Sequence, residues 1–442
     1  MVKNSKTFQK IGLLTAISYV IANMVGTGVF TSLGFQLAGG VTDLAAIMIL
    51  WLMGGIIAFT GAQVYAELGS VMPRSGGEYH FLSELYHPAL GFMSGFFSMF
   101  VGFAAPIALA SMALGTYFSN VYSGINPKYI AATVIVLVSL VHSISVKSGG
   151  VFQNIFTIIK LLLILAFIIA GFVITPEPQN LSIIPSSVTW SQVLSSGFAV
   201  SLIFVYYSYS GWNASAYFVS ELKNPAKNLP RSLIVGTLVV TVLYLFVNYI
   251  FLYVSPISSL NGQLDIGAVA AGDIFGRKGG IIMSGLISLL LISTISSMIF
   301  AGPRVIQVIG EDYSAFSFIK RKRKNGVPLI AILIQSSISL ILLFTSTFEQ
   351  LLTYLGFVMN IFAFLTVAGV FIHRKKYPNI ERPFKTKGYP IIPMIFMAFI
   401  IWNMIFMFKE KTVETLIGLA TLLVGLAFYY IAKALALEVN ES

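Results

Sequence analysis

The chain has 442 residues, 57% hydrophobic and 10% charged, a composition that excludes an ordinary soluble domain and points to an integral membrane protein. Its 27 Lys and Arg against 16 Asp and Glu give a net charge of +11. The basic clusters flank apolar runs, where attraction to anionic lipid accounts for them, and this argues against nucleic acid as a partner. There is no cysteine, so no disulfide can form within the chain or to another protein.

Apolar runs of about 20 residues, the length a bilayer crossing needs, recur twelve times in chain order. They lie roughly at 11–37, 44–66, 91–121, 129–146, 152–174, 194–220, 232–254, 281–303, 328–346, 350–373, 389–408 and 413–436. Lys3, Lys6 and Lys10 precede the first run as they would in a secretory signal. That run continues through Phe30 and Leu37 without a small-residue cleavage site, so it reads as a retained span. Gly26-Thr27-Gly28 interrupts the first run and Tyr207-Ser208-Tyr209-Ser210-Gly211 the sixth. A glycine costs a helix about 1 kcal/mol relative to alanine. Broken backbone at membrane depth is tolerated only where it is buried in protein or lines a cavity. Paired breaks in the two halves mark the midplane site of a secondary transporter. Close helix packing is the other reading of a glycine pair, and two breaks five spans apart count against it.

Spans one to five (11–174) and six to ten (194–373) overlay break on break as an inverted repeat, with spans eleven and twelve (389–436) outside it. All twelve form one transmembrane domain, 1–442. The halves share no detectable identity, so the repeat rests on hydropathy and break position. Most basic residues fall on one side, including Lys320-Arg321-Lys322-Arg323-Lys324 and Arg374-Lys375-Lys376 with Arg382, Lys385 and Lys387. The opposite loops hold Lys128, Arg277, Lys278, Lys409 and Lys411, and this bias places both termini in the cytoplasm. No Gly-rich phosphate loop is present for ATP. His80, His87, His142 and His373 fall in loops or at span ends and make no metal-ligand cluster. No nucleophile stands with a base. Neither an enzyme, a metal nor a cofactor is expected.

The first break supplies chemistry. A half-helix restarting near Gly28 or Val29 turns its positive end to the cavity. The amides of Thr27 and Gly28 and the Thr27 hydroxyl then suit a carboxylate. Carbonyls of Met24 and Val25, with others from Tyr207–Gly211, suit an ammonium. Together they describe an α-amino acid. All sixteen carboxylates lie in loops, tails or the last turn of a span, which favours a substrate with an uncharged side chain. Lys160 sits deep in the fifth span, about nine residues or roughly 13 Å from its start. A snorkelling lysine is the alternative, but its stem only partly closes that gap. A functional role is therefore expected. Burial and nearby carbonyl dipoles act on its charge in opposite directions.

Four segments, in order, resemble the amino acid–polyamine–organocation transporters. They are Asn23-Met24-Val25-Gly26-Thr27-Gly28-Val29-Phe30; Tyr65-Ala66-Glu67-Leu68-Gly69 with Pro73-Arg74-Ser75-Gly76-Gly77-Glu78-Tyr79; Ser210-Gly211-Trp212-Asn213 with Glu221-Leu222-Lys223-Asn224-Pro225 and Leu229-Pro230-Arg231; and Pro303-Arg304-Val305. The subgroup resembled is the L-type amino acid transporters, in particular bacterial alanine–serine–cysteine exchangers. The resemblance implies an all-α leucine-transporter-type fold with alternating access. It implies that carbonyls of Met24, Tyr207 and Ser210 hold the ammonium and that Thr27 and Gly28 hold the carboxylate, with Tyr207 as an aromatic lid. It further implies that Lys160 replaces a sodium ion against carbonyls such as Ala22 and Val25, with Tyr244 and Ser296 as polar partners near it.

Two departures, Ser210 for a glycine and Tyr207 for a phenylalanine, favour alanine, serine or glycine as substrate. Animal members attach to a heavy chain through a cysteine after span three, and Tyr122–Lys128 offers none. The expectation is a sodium-independent exchanger of small neutral L-amino acids in the cell membrane. Proton-coupled symport and a broader or cationic range stay open. A non-transporting sensor would carry an output domain, for which the tail after Lys433 is too short.

Overall fold

The computed structural model describes residues 11–144, 146–323 and 326–441. Lys3, Lys6, Lys10 and Lys324 of the basic runs lie outside the described residues. Helices α1 (Leu13–Met24) and α2 (Thr27–Ala38) share the first apolar run, followed by α3 (Leu44–Val71) and α4 (Glu78–Leu85). Next, α5 (Pro88–Phe97) passes through a π-turn at Ser98–Gly102 into α6 (Ala104–Ser119). Then come α7 (Pro127–Ile144), α8 (Val146–Ile174), α9 (Ser187–Val193) and α10 (Ser196–Tyr209), the last continued by a 3-10 helix at Ala214–Glu221. The remainder comprises α11 (Pro225–Val254), a single turn α12 (Ile257–Leu260), α13 (Ile266–Asp312), α14 (Leu329–Thr345), α15 (Phe348–Lys376), α16 (Ile391–Glu410) and α17 (Thr412–Glu441).

Among the described residues, ten helices are long and apolar enough to cross a membrane, or up to eleven if the pair α9 and α10, bent by 69°, counts as one span. The ninth expected run (328–346) corresponds to α14, which follows Pro328 and stops at 17 residues, roughly 26 Å at the helical rise. In its most apolar stretch the α1–α2 run is 78% buried, whereas α7, α8, α16 and α17 reach 33%. The interrupted run therefore lies at the centre of the bundle and the others turn apolar faces outward. Helix α3 packs on α11, α6 on α13, and α1 against both α11 and α8, so the breaks are set among other helices of the bundle.

Glu67 anchors one end of this bundle. It is fully buried near the end of α3 and accepts from Nε and Nη2 of Arg374, each at 2.8 Å, and from the Thr386 backbone at 2.7 Å. Arg382 adds its Nε at 3.5 Å. Removing one partner of such a cluster leaves like charges facing each other without compensation. Glu67→Ala is expected to cost about 3 kcal/mol, read as a lower thermal midpoint in detergent. A midpoint equal to the parent's would show that the cluster contributes nothing.

Candidate functional site

At the first break the helix stops where its hydrogen bonding changes partners. The Val25 N–H still reaches Ile21 O at 2.7 Å, but the Gly26 N–H turns back to Met24 O at 2.8 Å. Helix α2 restarts at Thr27, slightly earlier than the Gly28 or Val29 expected. The N–H groups of Thr27, Gly28 and Val29 open that helix and have no acceptor within it. The positive end of the helix dipole lies there. Across the break, the carbonyls of Ala22 and Asn23 lose their usual donors. The donor for Ala22 is spent on Met24, and the donor for Asn23 begins a new helix.

The second break begins within Tyr207–Gly211, at Ser210, and runs on to Asn213. Helix α10 runs to Tyr209, and the Ser210 N–H closes on Tyr207 O at 2.8 Å. The chain then turns through Gly211, whose φ of +97° favours glycine. A methyl added at Gly211 would also fall 2.8 Å from Asn23 Cβ. The two breaks touch directly. At Gly28 an added Cβ would sit 2.5 Å from Ser208 Cα, and Ser32 Oγ lies 2.9 Å from Ser208 Oγ. The close approach that Gly28 permits is to the backbone of α10.

Lys160 is fully buried and donates from Nζ to Val25 O at 2.6 Å and to Thr294 Oγ1 at 2.9 Å. Thr294 itself donates to Val25 O at 3.1 Å. Ala22 is buried one turn earlier, and its carbonyl is not among these partners of the lysine. Tyr244 bonds the carbonyl next to the one that Lys160 holds, not the lysine itself. Its hydroxyl is 2.5 Å from Met24 O and 2.9 Å from Ser208 O, so a single proton bridges the two breaks. Ser296 pairs with His142 Nε2 at 2.7 Å, away from the lysine. At the lysine, the partner that the sequence did not reveal is Thr294. It sits in Ser293-Thr294-Ile295-Ser296-Ser297, where hydroxyls occur on more than one helix face and spacing does not choose between them.

These bonds change which carbonyls are free. Met24 O, expected to take an ammonium, already accepts from Gly26 and Tyr244, and Val25 O from Lys160 and Thr294. Tyr207 O is occupied by the Ser210 N–H. Among the described residues no donor reaches the carbonyls of Asn23 or Ser210. Both residues line a cavity of about 20 Å³ together with Met24, Gly26, Thr27, Gly28, Tyr207 and Thr294. Such a space holds about one water, so an amino acid enters only if the breaks part. Val25 does not line it, and Gly211 lines the neighbouring chamber instead.

That chamber, of about 60 Å³, shares Asn23, Pro106, Ser210 and Met298 with the first cavity and is walled by Phe103, Tyr206 and Tyr217. Glu78 also lines it. Glu78 lies between spans, at the first residue of α4, and from there its side chain reaches the polar interior. Its Oε1 accepts from Tyr65 Oη at 2.9 Å and Asn213 Nδ2 at 2.7 Å. No carboxylate is among the residues that line the smaller cavity between the breaks; Glu78 lines the chamber beside it.

A family model described as amino acid permease matches residues 11–428. The chain is similar to the b(0,+)-type amino acid transporter 1 of Homo sapiens, 30% identical over 441 residues covering 97% of this chain and 89% of that protein. The Mus musculus protein of the same name is 29% identical over 442 residues, with the same coverage. Similarity extends to the large neutral amino acids transporter small subunit 2 of Homo sapiens, 30% identical over 446 residues covering 96% of this chain and 80% of that protein.

Proposed function

The chain belongs to the amino acid permease family, and on the premise that it is a multi-pass membrane transporter rather than an enzyme, we propose that it is a sodium-independent exchanger of small neutral L-amino acids. The observation that carries this reading is the set of unpaired main-chain groups around one cavity. Thr27 and Gly28, which line it, and Val29 next to them at the start of α2 offer N–H groups to a carboxylate. Asn23 and Ser210 offer carbonyls to an ammonium, in place of Met24 and Tyr207. Tyr207 closes over the substrate. Lys160 stands where a sodium ion would otherwise hold the Val25 carbonyl, and this supports sodium independence. Val25, Gly26 and Gly211 shape the breaks, and Tyr244 ties them together.

In this reading α14 and the bent α9–α10 pair complete twelve spans, arranged as two inverted sets of five with α16 and α17 outside. Both termini face the cytoplasm, and the membrane is the cell membrane. One relative is by name a small subunit. A larger partner here would be held without a disulfide, since the chain has no cysteine.

Counterflow in proteoliposomes tests the proposal. Uptake of labelled alanine is expected to require an amino acid inside, to ignore sodium, and to be competed best by serine, glycine and alanine. Uptake into empty vesicles under an imposed proton gradient would establish symport instead. A second reading, a range reaching large neutral side chains, is favoured by the chamber beyond Ser210 and Gly211. Leucine competing as well as alanine would decide for it.

A further inference from the structure

Glu78 is 7% exposed and carries no positive partner. Among the described residues no Lys, Arg or His nitrogen lies within ion-pair distance of its carboxylate. The groups that face it are the phenols of Tyr65 on α3, Tyr206 on α10 and Tyr217 on the 3-10 helix, with the Asn213 amide. All are neutral, and Tyr65 and Asn213 donate to it. An anion enclosed in this way is costly unless a cation or a proton neutralises it. Burial raises its pKa above the ordinary carboxylate value. The chamber it lines borders the central cavity through Asn23 and Ser210, whose carbonyls no described donor reaches. A zwitterion leaving those carbonyls in the direction of α4 meets this carboxylate next, between aromatic walls that suit an ammonium.

We propose that Glu78 forms a second ammonium-binding station, a transit site occupied by an amino acid passing between the central cavity and the membrane face on which α4 lies. The proposal rests on the amino acid transport reading above. The carboxylate attracts the ammonium when ionised and loses that attraction when protonated. Tyr65 and Asn213 fix the position of its Oε1.

The test measures the half-saturating alanine concentration separately on each face of oriented proteoliposomes. Glu78→Gln keeps an acceptor for Tyr65 and Asn213 while removing the charge, so folding is preserved. It is expected to raise the half-saturating concentration on the α4 face on the order of tenfold and to leave the opposite face unchanged. In the parent, the value on the α4 face should rise as pH falls through the raised carboxyl pKa, because the protonated form has no charge to offer. In Glu78→Gln that dependence should be flat. No change on the α4 face, an equal rise on both faces, or a retained pH dependence would each overturn the transit site. A parent protein that shows no alanine counterflow at all would instead remove the transport reading, and the station with it.

Discussion

Lys160→Ala is expected to lower the exchange rate by about 10- to 100-fold while leaving the protein folded and inserted. The range follows from the bonds lost. A charge-assisted hydrogen bond contributes about 1.5–3 kcal/mol, and every 1.4 kcal/mol is about tenfold. Nζ of Lys160 supplies the short bond, 2.6 Å, to the Val25 carbonyl at the point where α1 stops. Without it, the Thr294 hydroxyl at 3.1 Å is the one donor left to that carbonyl among the described residues. The break would persist but lose its fixed geometry. Thr294→Val removes a neutral donor and should cost less than tenfold. Initial exchange rates normalised to reconstituted protein make the comparison. A parental rate for Lys160→Ala would refute the role given to this lysine.

Gly28→Val should abolish measurable alanine binding and also lower stability. The new Cβ would meet Ser208 Oγ, Cα and Cβ at 2.4, 2.5 and 2.6 Å, and one of these is backbone. Helices α2 and α10 must then separate, and overpacking of this kind typically costs about 1–3 kcal/mol. The separation would also pull the Thr27–Val29 amides away from the Ser210 carbonyl, so affinity falls with stability. Gly272→Ala is the control, because no atom lies within 4 Å of a Cβ added there. Equilibrium binding and thermal midpoints measured on the same preparations give both quantities. Parental binding in Gly28→Val would reduce this glycine to a packing residue.

What the sequence made legible was local, and what it hid was carried by contacts between helices. Glycine's cost to a helix is a property of the residue itself, so interruptions near Gly26 and Gly211 could be expected without coordinates. Their positions moved by only a few residues, because a helix end depends on which carbonyl the next N–H chooses. The Gly26 N–H chose Met24 and the Ser210 N–H chose Tyr207. Whether a carbonyl is free is a different kind of fact. Met24 O is occupied by Tyr244 from α11, and Val25 O by side chains from α8 and α13. No spacing rule along one helix reveals these partners. Glu78 escaped for the same reason: it is a loop carboxylate by position and a chamber-lining one by packing.

The most direct test of the account is a cryo-EM map of the protein in lipid nanodiscs with bound L-alanine. The account predicts the ligand carboxylate within hydrogen-bond distance of the Thr27–Val29 N–H groups, its ammonium on the Asn23 and Ser210 carbonyls, and Lys160 still on Val25 O. Alanine bound elsewhere while those amides stay with water, or a sodium ion at the Val25 carbonyl with Lys160 turned away, would contradict it.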